Sequence, residues 1–342
     1  MKSGQITIKD LAHELGISPS TVSRALKDHP DISAKTKRLV SALAKKRDYQ
    51  PNSIALSLRS SKTHTIGVII PELVHFFFST VISGIEDVAY SAGYNVILCQ
   101  SNESHEREVM DVNALLSHRV DGLLVSVAKE TTNFDHFKSF QDRNLPLIFF
   151  DRKAEGIPAS SVVVDDEQGG YEAVKHLILQ GCERILHLAG PEKLLISKNR
   201  KRGYLRALKE NNLPVVDRLI VDCNAGSNLI EAQKIIEELH LAGIAFDGIF
   251  ANNDLSAIGA MNKLKSMGIN IPQDVAVVGY SNWQMAGLVE PPLSSVNQPG
   301  FEMGQAAARL FIDKMNSPAN SINLQIVLES KLVVRDSSQR RK

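Results

Sequence analysis

Two serines and an arginine lie close together near the start of the sequence, in the stretch SPSTVSRALK at residues 18–27. An arginine guanidinium can bond O6 and N7 of guanine together, and serine hydroxyls can hold phosphates. Ser20 and Arg24 are four positions apart, so a helix would present both on one face. These residue types suit recognition of a DNA duplex. Short amphipathic helix pairs also occur in proteins that never touch DNA, so these residues alone leave a structural role open.

The preceding residues predict a first helix that positions this stretch. Thr7 and Asp10 have the spacing of a capping box, which places the helix start at Ile8. Gly16 ends it, and Ser18 caps a second helix with Pro19 in its first position. The apolar face of the first helix is Ile8, Leu11, Ala12 and Leu15. Two helices joined by so short a turn predict a helix-turn-helix, whose second helix lies in the DNA major groove.

A third helix is predicted over residues 33–47, with Ser33 as its cap. Its expected inner stripe is Leu39, Val40, Leu43 and Ala44. Pro51 stops the helical pattern, and Asn52 can cap a very short helix, SIALSLR. The Ser/Lys/Thr run at 60–65 is typical of a linker.

The charge of the chain is unevenly distributed. Residues 1–62 hold twelve Lys or Arg against five Asp or Glu, a net of +7. The remaining residues hold 27 against 33, a net of −6. This asymmetry is expected when only the N-terminal part meets phosphates. The three cysteines are far apart without a CxxC pair, so neither a zinc site nor a disulfide framework is predicted. No signal-peptide core or apolar membrane span is found, which makes a cytoplasmic protein without membrane contact the expectation.

After Thr65, short apolar runs alternate with amphipathic segments of roughly ten to fifteen residues. This alternation predicts parallel sheets covered by helices on both faces. The length of the region favours two sheets side by side, with a ligand at the carboxyl ends of the strands. The predicted strands are IGVII (66–70), YNVILC (94–99), DGLLVS (121–126), LPLIFFD (145–151), RILHLA (184–189), FDGIFA (246–251) and DVAVVG (274–279).

In this order, the elements resemble a full-length LacI-family transcription regulator. The head carries the resemblance in TIKDLAHELGISPSTVSRAL and in DISAKTKRLVSALAKKRDYQPNSIALSLR. The body carries it in VDGLLV, VVVDDEQGG, GCERILHLAGP, RKRGY, ANNDLSAIGA, DVAVVGYSN, PPLSSVNQP and LVVRDSS. The resemblance implies an all-α helix-turn-helix DNA-binding head and an α/β periplasmic-binding-protein-like body of two doubly wound parallel-sheet subdomains. The implied domains are a headpiece (1–50), a hinge helix and linker (51–64), and an effector-binding and dimerisation domain (65–342).

The resemblance also implies which residues meet DNA. Pro19, Ser20 and Arg24 match recognition-helix positions that face base edges, although Pro19 is also a simple helix initiator. Positions that match phosphate contacts are Thr7, Ser18, Thr21, Ser23, Ser33, Thr36, Tyr49 and Asn52. In the hinge segment, which also includes Ala55, Leu58 matches a leucine that is wedged between minor-groove base steps. The alternative is a linker whose leucines rest on the body.

For the effector, the resemblance implies a site between the two body subdomains. Phe77 and Phe78 match wall positions, and Arg200 matches an arginine that clamps polar ligands. Further matches are Asn253, Gln298 and Asp165, the last with a spacing one residue shorter than in the family. Where the family has an acid after G-[FY], this chain has Ser281, followed by Asn282 and Trp283. That departure suggests a different or less polyhydroxylated ligand, or recognition by Asn282 and a stacking Trp283.

Other classes of protein fit the sequence less well. A periplasmic sugar-binding protein would lack the basic head and carry a signal peptide. No nucleophile elbow, phosphate loop or dinucleotide fingerprint is present, and His13-Glu14 and His105-Glu106 lack the second histidine of a zinc protease motif. We therefore expect no enzyme, no cofactor and no metal. The expected partners are a pseudo-palindromic operator in double-stranded DNA, a small-molecule effector of the carbohydrate class, and a second copy in a homodimer. Repression and activation use the same residues, and repression is the working hypothesis.

Overall fold

The computed structural model describes residues 6–49, 62–74, 76–223, 229–317 and 322–340. The chain forms two compact units, Met1–Thr63 and His64–Lys342. The first is the head and the second is the body.

Within its described residues, the head has three helices, α1 (Ile8–Leu15), α2 (Pro19–Leu26) and α3 (Ala34–Lys46). Each begins at its predicted cap, and Gly16 ends α1 in the left-handed conformation (φ 64°) that glycine adopts without strain. The shared core is Leu11, Ala12, Val22, Ala25, Val40 and Ala44. Leu39 was expected in this core, but that prediction is wrong, since 52% of it is exposed. It lies one helical step from the inward line of Val40 and Ala44, about 100° around the helix axis.

The body contains two six-stranded sheets. The strands are β1 (Thr65–Ile70), β2 (Asn95–Gln100), β3 (Gly122–Val125), β4 (Leu147–Phe150), β5 (Ser160–Val164), β6 (Ile185–Ala189), β7 (Ile220–Asp222), β8 (Gly248–Ala251), β9 (Ala276–Ser281), β10 (Ser294–Asn297), β11 (Gln325–Leu328) and β12 (Lys331–Val333). Sheet A has the order β2-β1-β3-β4-β5-β11 and sheet B the order β7-β6-β8-β9-β10-β12. All pairs are parallel except β10 with β12.

Eight described helices cover the sheets. They are α4 (Phe76–Ser91), α5 (His105–Ser117), α6 (Asp135–Gln141), α7 (Asp166–Leu179), α8 (Leu195–Glu210), α9 (Leu229–Leu241), α10 (Asp254–Ser266) and α11 (Gly300–Asn316). Fully buried aliphatic and aromatic side chains fill the layers on both faces of each sheet. All seven predicted strands are present, and the predicted fold of two parallel-sheet subdomains is confirmed. The prediction missed β5, β7, β10, β11 and β12.

The chain passes between the sheets three times, after β5, after β10 and after β11. After β5 it enters α7, which packs closely against α8. A side chain at Gly203 on α8 would overlap the carbonyl oxygen of Glu167, and a Cβ at Gly170 on α7 would lie 2.6 Å from the carbonyl oxygen of Arg200. Because both positions are glycine, the two helix backbones touch, and this contact brings Arg200 to the start of α7.

Candidate functional site

The outer face of α2 presents the polar groups expected to meet DNA. Pro19, Ser20 and Arg24 are exposed, while Val22 and Ala25 on the opposite face are buried. Among the described residues, none pairs with the Arg24 guanidinium. Its five N–H donors are therefore available to an incoming acceptor.

The starts of α2 and α3 are arranged alike. Ser18 Oγ accepts the backbone N–H of Thr21 at 3.1 Å, and Ser33 Oγ accepts that of Thr36 at 3.2 Å. In each case the two hydroxyls are 2.8 Å apart. Neither first turn contains an acidic residue, so the positive end of each helix dipole is uncompensated and favours an anion.

Helix α1 differs, because Asp10 completes the capping box with Thr7. The Thr7 backbone N–H and hydroxyl donate to Asp10 Oδ2 at 2.8 and 2.6 Å. These two hydrogen bonds lower the pKa of Asp10 below its ordinary value. Thr7 is thus engaged locally, and Tyr49 is half-buried against the head core. Ser23 lies partly exposed on α2. The remaining expected contacts, Asn52, Ala55 and Leu58, lie outside the described residues.

The body holds a cavity of about 270 Å³ between the two sheets. Its lining comes from segments that follow the carboxyl ends of the strands, where parallel α/β proteins place their ligands. From sheet A the lining includes Glu72, Phe76, Phe77, Phe78, Glu103, Lys129, Asp151 and Arg152. From the side of sheet B it includes Ile196, Arg200, Asn252, Asn253, Asp254, Ser281, Trp283 and Gln298.

Arg200 forms the polar centre of the sheet B wall. Its Nε donates to Asp166 Oδ1 at 2.8 Å and its Nη1 donates to the carbonyl oxygen of Asn252 at 2.7 Å. The guanidinium lies over the Tyr280 ring, 3.7 Å from the centroid, in cation–π geometry. Burial lowers the pKa of Arg200, but Asp166, Tyr280 and Asp151 together raise it above its ordinary value, so the guanidinium stays charged. Its remaining donors are held in a fixed orientation beside the cavity.

A second guanidinium, that of Arg152, lies on the sheet A wall and is 15% exposed. Its Nη1 donates to both oxygens of Glu103, at 3.0 and 2.8 Å, and the Lys129 backbone N–H donates to Glu103 at 2.7 Å. Asp151, beside it, has a left-handed backbone (φ 58°) and is almost fully buried. Burial raises the pKa of Asp151 to about 6, although Arg152 opposes the rise.

Asp254 connects three segments of the sheet B wall. Its carboxylate accepts the Trp283 backbone N–H and the Ser295 hydroxyl, both at 2.6 Å. Burial raises the pKa of Asp254 to about 7 in spite of these donors. The neighbouring Asn253 caps α10, because its side chain accepts the Ser256 N–H at 2.9 Å.

Three buried polar atoms of the lining lack a hydrogen-bond partner among the described residues, namely Arg152 Nε, Asn252 Oδ1 and Gln298 Nε2. Gln298 Oε1 already accepts the Ser281 hydroxyl at 2.7 Å, which fixes the orientation of the amide. A buried unpaired polar atom costs roughly 1–3 kcal/mol. One acceptor and two donors in a polar cavity match a bound molecule with hydroxyl groups.

Aromatic side chains form the apolar part of the cavity. Phe78 is buried, Phe77 is partly exposed, and their rings meet edge to face with centroids 5.3 Å apart. Arg152 lies 6.0 Å from the Phe78 ring centroid. Trp283, the only tryptophan in the sequence, is partly exposed on the opposite side. The combination of polar groups and flat apolar surfaces suits a molecule with both kinds of face.

Most of the expected effector residues meet at this cavity, namely Phe77, Phe78, Arg200, Asn253, Ser281, Trp283 and Gln298. Asp165 and Asn282 do not line it. Asp165 is exposed and caps α7, since its side chain accepts the Gln168 N–H, and the residue paired with Arg200 is its neighbour Asp166. The side chain of Asn282 is used within the protein, donating to Asn297 at 3.0 Å and accepting from Arg335 at 2.8 Å.

Six further residues line the cavity that were not predicted from the sequence, namely Glu103, Lys129, Asp151, Arg152, Asn252 and Asp254. A signal for them was present, because each lies at the end of a predicted strand or within a few residues after it. Asp151, for example, comes directly after β4.

Among the described residues, no helix is both long enough and apolar enough to span a bilayer.

Comparisons with known proteins place the chain in a family. Residues 7–52 match the model of bacterial regulatory proteins of the lacI family. Residues 63–331 match the model of periplasmic binding proteins and the sugar binding domain of the LacI family. The ribose operon repressor of Halalkalibacterium halodurans is 33% identical, over 97% of each chain. Catabolite control protein A of Priestia megaterium is 32% identical, over 91% of this chain and 93% of its own.

Solved structures agree with this assignment. A LacI family transcriptional regulator from Enterococcus faecium with bound ribose is 30% identical, covers 81% of this chain and 100% of its own, and has a TM-score of 0.70. The lac repressor dimer bound to operator and the anti-inducer ONPF has a TM-score of 0.86 over 98% of this chain and 100% of its own. Its identity of 24% makes it a comparison of fold alone. The chain belongs to the LacI family and is a DNA-binding transcription regulator, not an enzyme.

Proposed function

We propose that this protein represses transcription as a homodimer on a pseudo-palindromic operator, and that an uncharged, monosaccharide-sized carbohydrate bound in the body cavity sets its affinity for DNA. The observation that carries the effector class is the state of the two guanidinium groups in the cavity wall. Arg200 is paired with Asp166 and Arg152 with Glu103, each at 2.8 Å.

This pairing argues against a phosphorylated effector. A phosphate is bound best by guanidinium groups that have no carboxylate partner of their own. Here each guanidinium keeps its donors oriented but brings little net charge, which suits neutral hydroxyls. The buried Asn252 Oδ1 and Gln298 Nε2 supply a further acceptor and donor.

The size of the cavity supports a small ligand. Its volume of about 270 Å³ lies just below the usual range for ligand pockets. Two relatives point the same way, the ribose operon repressor by its name and the Enterococcus faecium regulator by its bound ribose. Aromatic faces such as Trp283 and Phe77 would cover the apolar faces of a sugar ring.

The effector proposal is tested by tryptophan fluorescence. Because Trp283 is the only tryptophan, a ligand in the cavity changes the whole signal. We expect one or more neutral pentoses or hexoses to change it saturably, and a sugar phosphate or a disaccharide to leave it unchanged. Saturable binding of the phosphate but of no neutral sugar would contradict the proposal.

Two variants localise the binding. Arg200→Met and Gln298→Met should each abolish or weaken the sugar response while operator binding persists. Arg202→Met is the matched control, since Arg202 lies on the same helix but is exposed. Equal responses in all three variants would place the ligand elsewhere. Folding of each variant is checked by thermal unfolding.

The DNA interface is proposed to consist of Pro19, Ser20 and Arg24 at base edges, with phosphates held by Thr7, Ser18, Thr21, Ser23, Ser33, Thr36, Tyr49 and Asn52, and with Ala55 and Leu58 in the hinge. Two observations support this interface. No acidic residue offsets the positive dipole at the first turn of α2 or α3, and no described residue pairs with the Arg24 guanidinium. We also propose the cytoplasm as the location, since the DNA is there.

Selection of binding sites from random DNA gives the operator, and Arg24→Ala then tests the interface. We expect a loss of about 1–3 kcal/mol in specific affinity and a relaxed preference at one base pair. Lys45→Ala, which removes one exposed charge at the far end of α3, should lower specific and non-specific binding alike. An unchanged sequence preference in Arg24→Ala would contradict the assignment. Light scattering should give a mass of two chains.

A further inference from the structure

A cluster of metal-ligand side chains lies outside the effector cavity, at the start of α5. His105 is the first residue of α5, Glu108 follows one turn later, and His136 comes from the first turn of α6. One ligand atom from each of the three lies within 4.8 Å of the other two. The sequence shows His105-Glu106 without a nearby second histidine, and the fold supplies His136 from another helix.

Glu108 is the buried centre of this cluster. Its side chain is fully buried, and that of His136 is 6% exposed. Oε1 accepts the Thr131 hydroxyl at 2.8 Å and lies 3.0 Å from His136 Nε2. Within the described part of the chain, Oε2 accepts only the Ala128 N–H, at 2.7 Å. A carboxylate oxygen can accept two bonds, so Oε2 retains capacity for one more.

His105 provides an independent sign of a ligand. Its ring meets the His136 ring edge to face, with centroids 5.3 Å apart. The Nδ1 atom of His105 is buried and has no partner among the residues that the structure describes. Buried nitrogen atoms are nearly always paired, so an unpaired one beside a carboxylate and a second imidazole calls for an explanation.

Two imidazoles and a carboxylate form a donor set that zinc-class ions prefer over magnesium or calcium. Bonds of about 2.0–2.1 Å to a tetrahedral ion place ligand atoms roughly 3.4 Å apart. The present spread of up to 4.8 Å therefore requires a contraction of up to about 1.4 Å, which side-chain rotations would have to supply. The positive end of α5 opposes a cation, but Glu106 and Glu108 in the first turn offset it.

We propose that His105, Glu108 and His136 bind one divalent transition-metal ion of the zinc class, with at least one coordination position left to solvent. The alternative is a metal-free polar latch in which Glu108 only fixes the loop at Ala128 and Thr131. The two differ in what His136 does, because the latch needs only a hydrogen-bond donor at that position and the metal site needs an imidazole.

The site would lie next to the effector cavity. Glu108 holds Ala128 and Thr131. Lys129, one of the two residues between them in the chain, lines the cavity and donates its N–H to Glu103. A metal bound at Glu108 would thereby stiffen the loop that carries one wall of the effector site.

The proposal is tested with the untagged full-length protein after removal of metals by a chelator. Calorimetric titration should give one Zn²⁺ per chain. His105→Ala and His136→Gln should each lower the affinity by roughly tenfold to a hundredfold or more. Glutamine at 136 keeps a donor for Glu108, so this variant should retain the thermal stability of the parent protein. Cobalt(II) should give a ligand-field spectrum without a thiolate charge-transfer band.

The matched control is His240→Ala, which removes an exposed histidine from α9. It should bind Zn²⁺ as the parent protein does, and Mg²⁺ should give no heat with any variant. The proposal is overturned if the parent protein takes up no stoichiometric Zn²⁺, if both histidine variants keep full affinity, or if the cobalt spectrum reports cysteine ligands. Retained affinity in His136→Gln with lost affinity in His240→Ala would likewise overturn it.

Discussion

The pair of Arg200 and Asp166 gives the sharpest prediction for the body. Their side chains are 4% and 3% exposed, and Arg200 Nε lies 2.8 Å from Asp166 Oδ1. Removing one partner of a buried ion pair leaves an uncompensated charge and costs about 3–5 kcal/mol. Asp166→Asn keeps an acceptor oxygen for Arg200, so we expect a loss at the lower end, about 3 kcal/mol.

For a unit of this size, about 3 kcal/mol lowers Tm by roughly 6–12 °C. Arg200→Met should cost at least as much, because it leaves the Asp166 carboxylate buried without its partner. The double variant removes both charges, so its loss should be smaller than the sum of the two single losses by at least about 1 kcal/mol. Arg202→Met is the reference, since the exposed Arg202–Glu167 pair should contribute no more than about 1 kcal/mol.

Scanning calorimetry of the four variants and the parent protein measures these differences. Effector titration by Trp283 fluorescence then separates stability from binding, because Asp166→Asn should weaken the sugar response by freeing the guanidinium to rotate. Strictly additive losses in Tm, or a sugar affinity unchanged by Asp166→Asn, would refute the view that Asp166 orients Arg200 for the ligand.

Three further outcomes are expected from other parts of the chain. Gly203→Ala forces a methyl group onto the Glu167 carbonyl oxygen and should lower the free energy of unfolding by about 1–3 kcal/mol in a thermal unfolding experiment. The control is Gly287→Ala, whose new methyl group meets no described atom within 4 Å and should cost little. Equal losses in the two variants would contradict the close contact between the helices. The pKa of Asp254 is about 7 in the folded protein, above its unfolded value near 3.9, so the folded state binds the extra proton between these values. Stability should therefore fall as pH rises from about 4 to 7, and Asp254→Asn should flatten that fall in a series of Tm measurements. Leu58→Ala should reduce operator bending in a gel-mobility assay with unchanged unfolding of the body, and an unchanged bend angle would count against the wedge.

The sequence predicted strands where apolar residues were continuous and missed them where serine occupies buried positions. Strand β5 reads SSVVV and β10 reads SSVN, which look polar. In the structure these serines are buried because their hydroxyls find partners far along the chain. Ser160 Oγ accepts the Leu324 N–H at 3.1 Å, and Ser295 Oγ donates to Asp254. Such hydrogen bonds depend on the tertiary fold, so no local sequence pattern predicts them.

The residues of the candidate sites also divide into those that the local sequence predicts and those that depend on the tertiary fold. Residues embedded in local patterns could be found from sequence, such as the caps Ser18 and Ser33, whose geometry depends only on neighbours three positions away. The sequence predicts Arg200 as a ligand-binding residue, but it does not predict which carboxylate pairs with it. Whether Asp165 or Asp166 faces Arg200 depends on how α7 is rotated about its axis. That rotation is set by the glycine contact with α8, which links residues far apart in sequence.

The position of the cavity relative to the sheet crossings explains how a small molecule could act on the whole body. Asp166 stands at the first crossing and Gln298 at the second, and their partners Arg200 and Ser281 both belong to the side of sheet B. Phe77, Phe78 and Arg152 approach from sheet A. A ligand that contacts both groups binds with an energy that depends on how the two sheets are oriented. It must therefore favour one orientation over others, since a ligand shifts a conformational equilibrium by its difference in affinity for the two states. The contacts that make the site specific for its ligand therefore also allow the ligand to change the relative orientation of the two sheets.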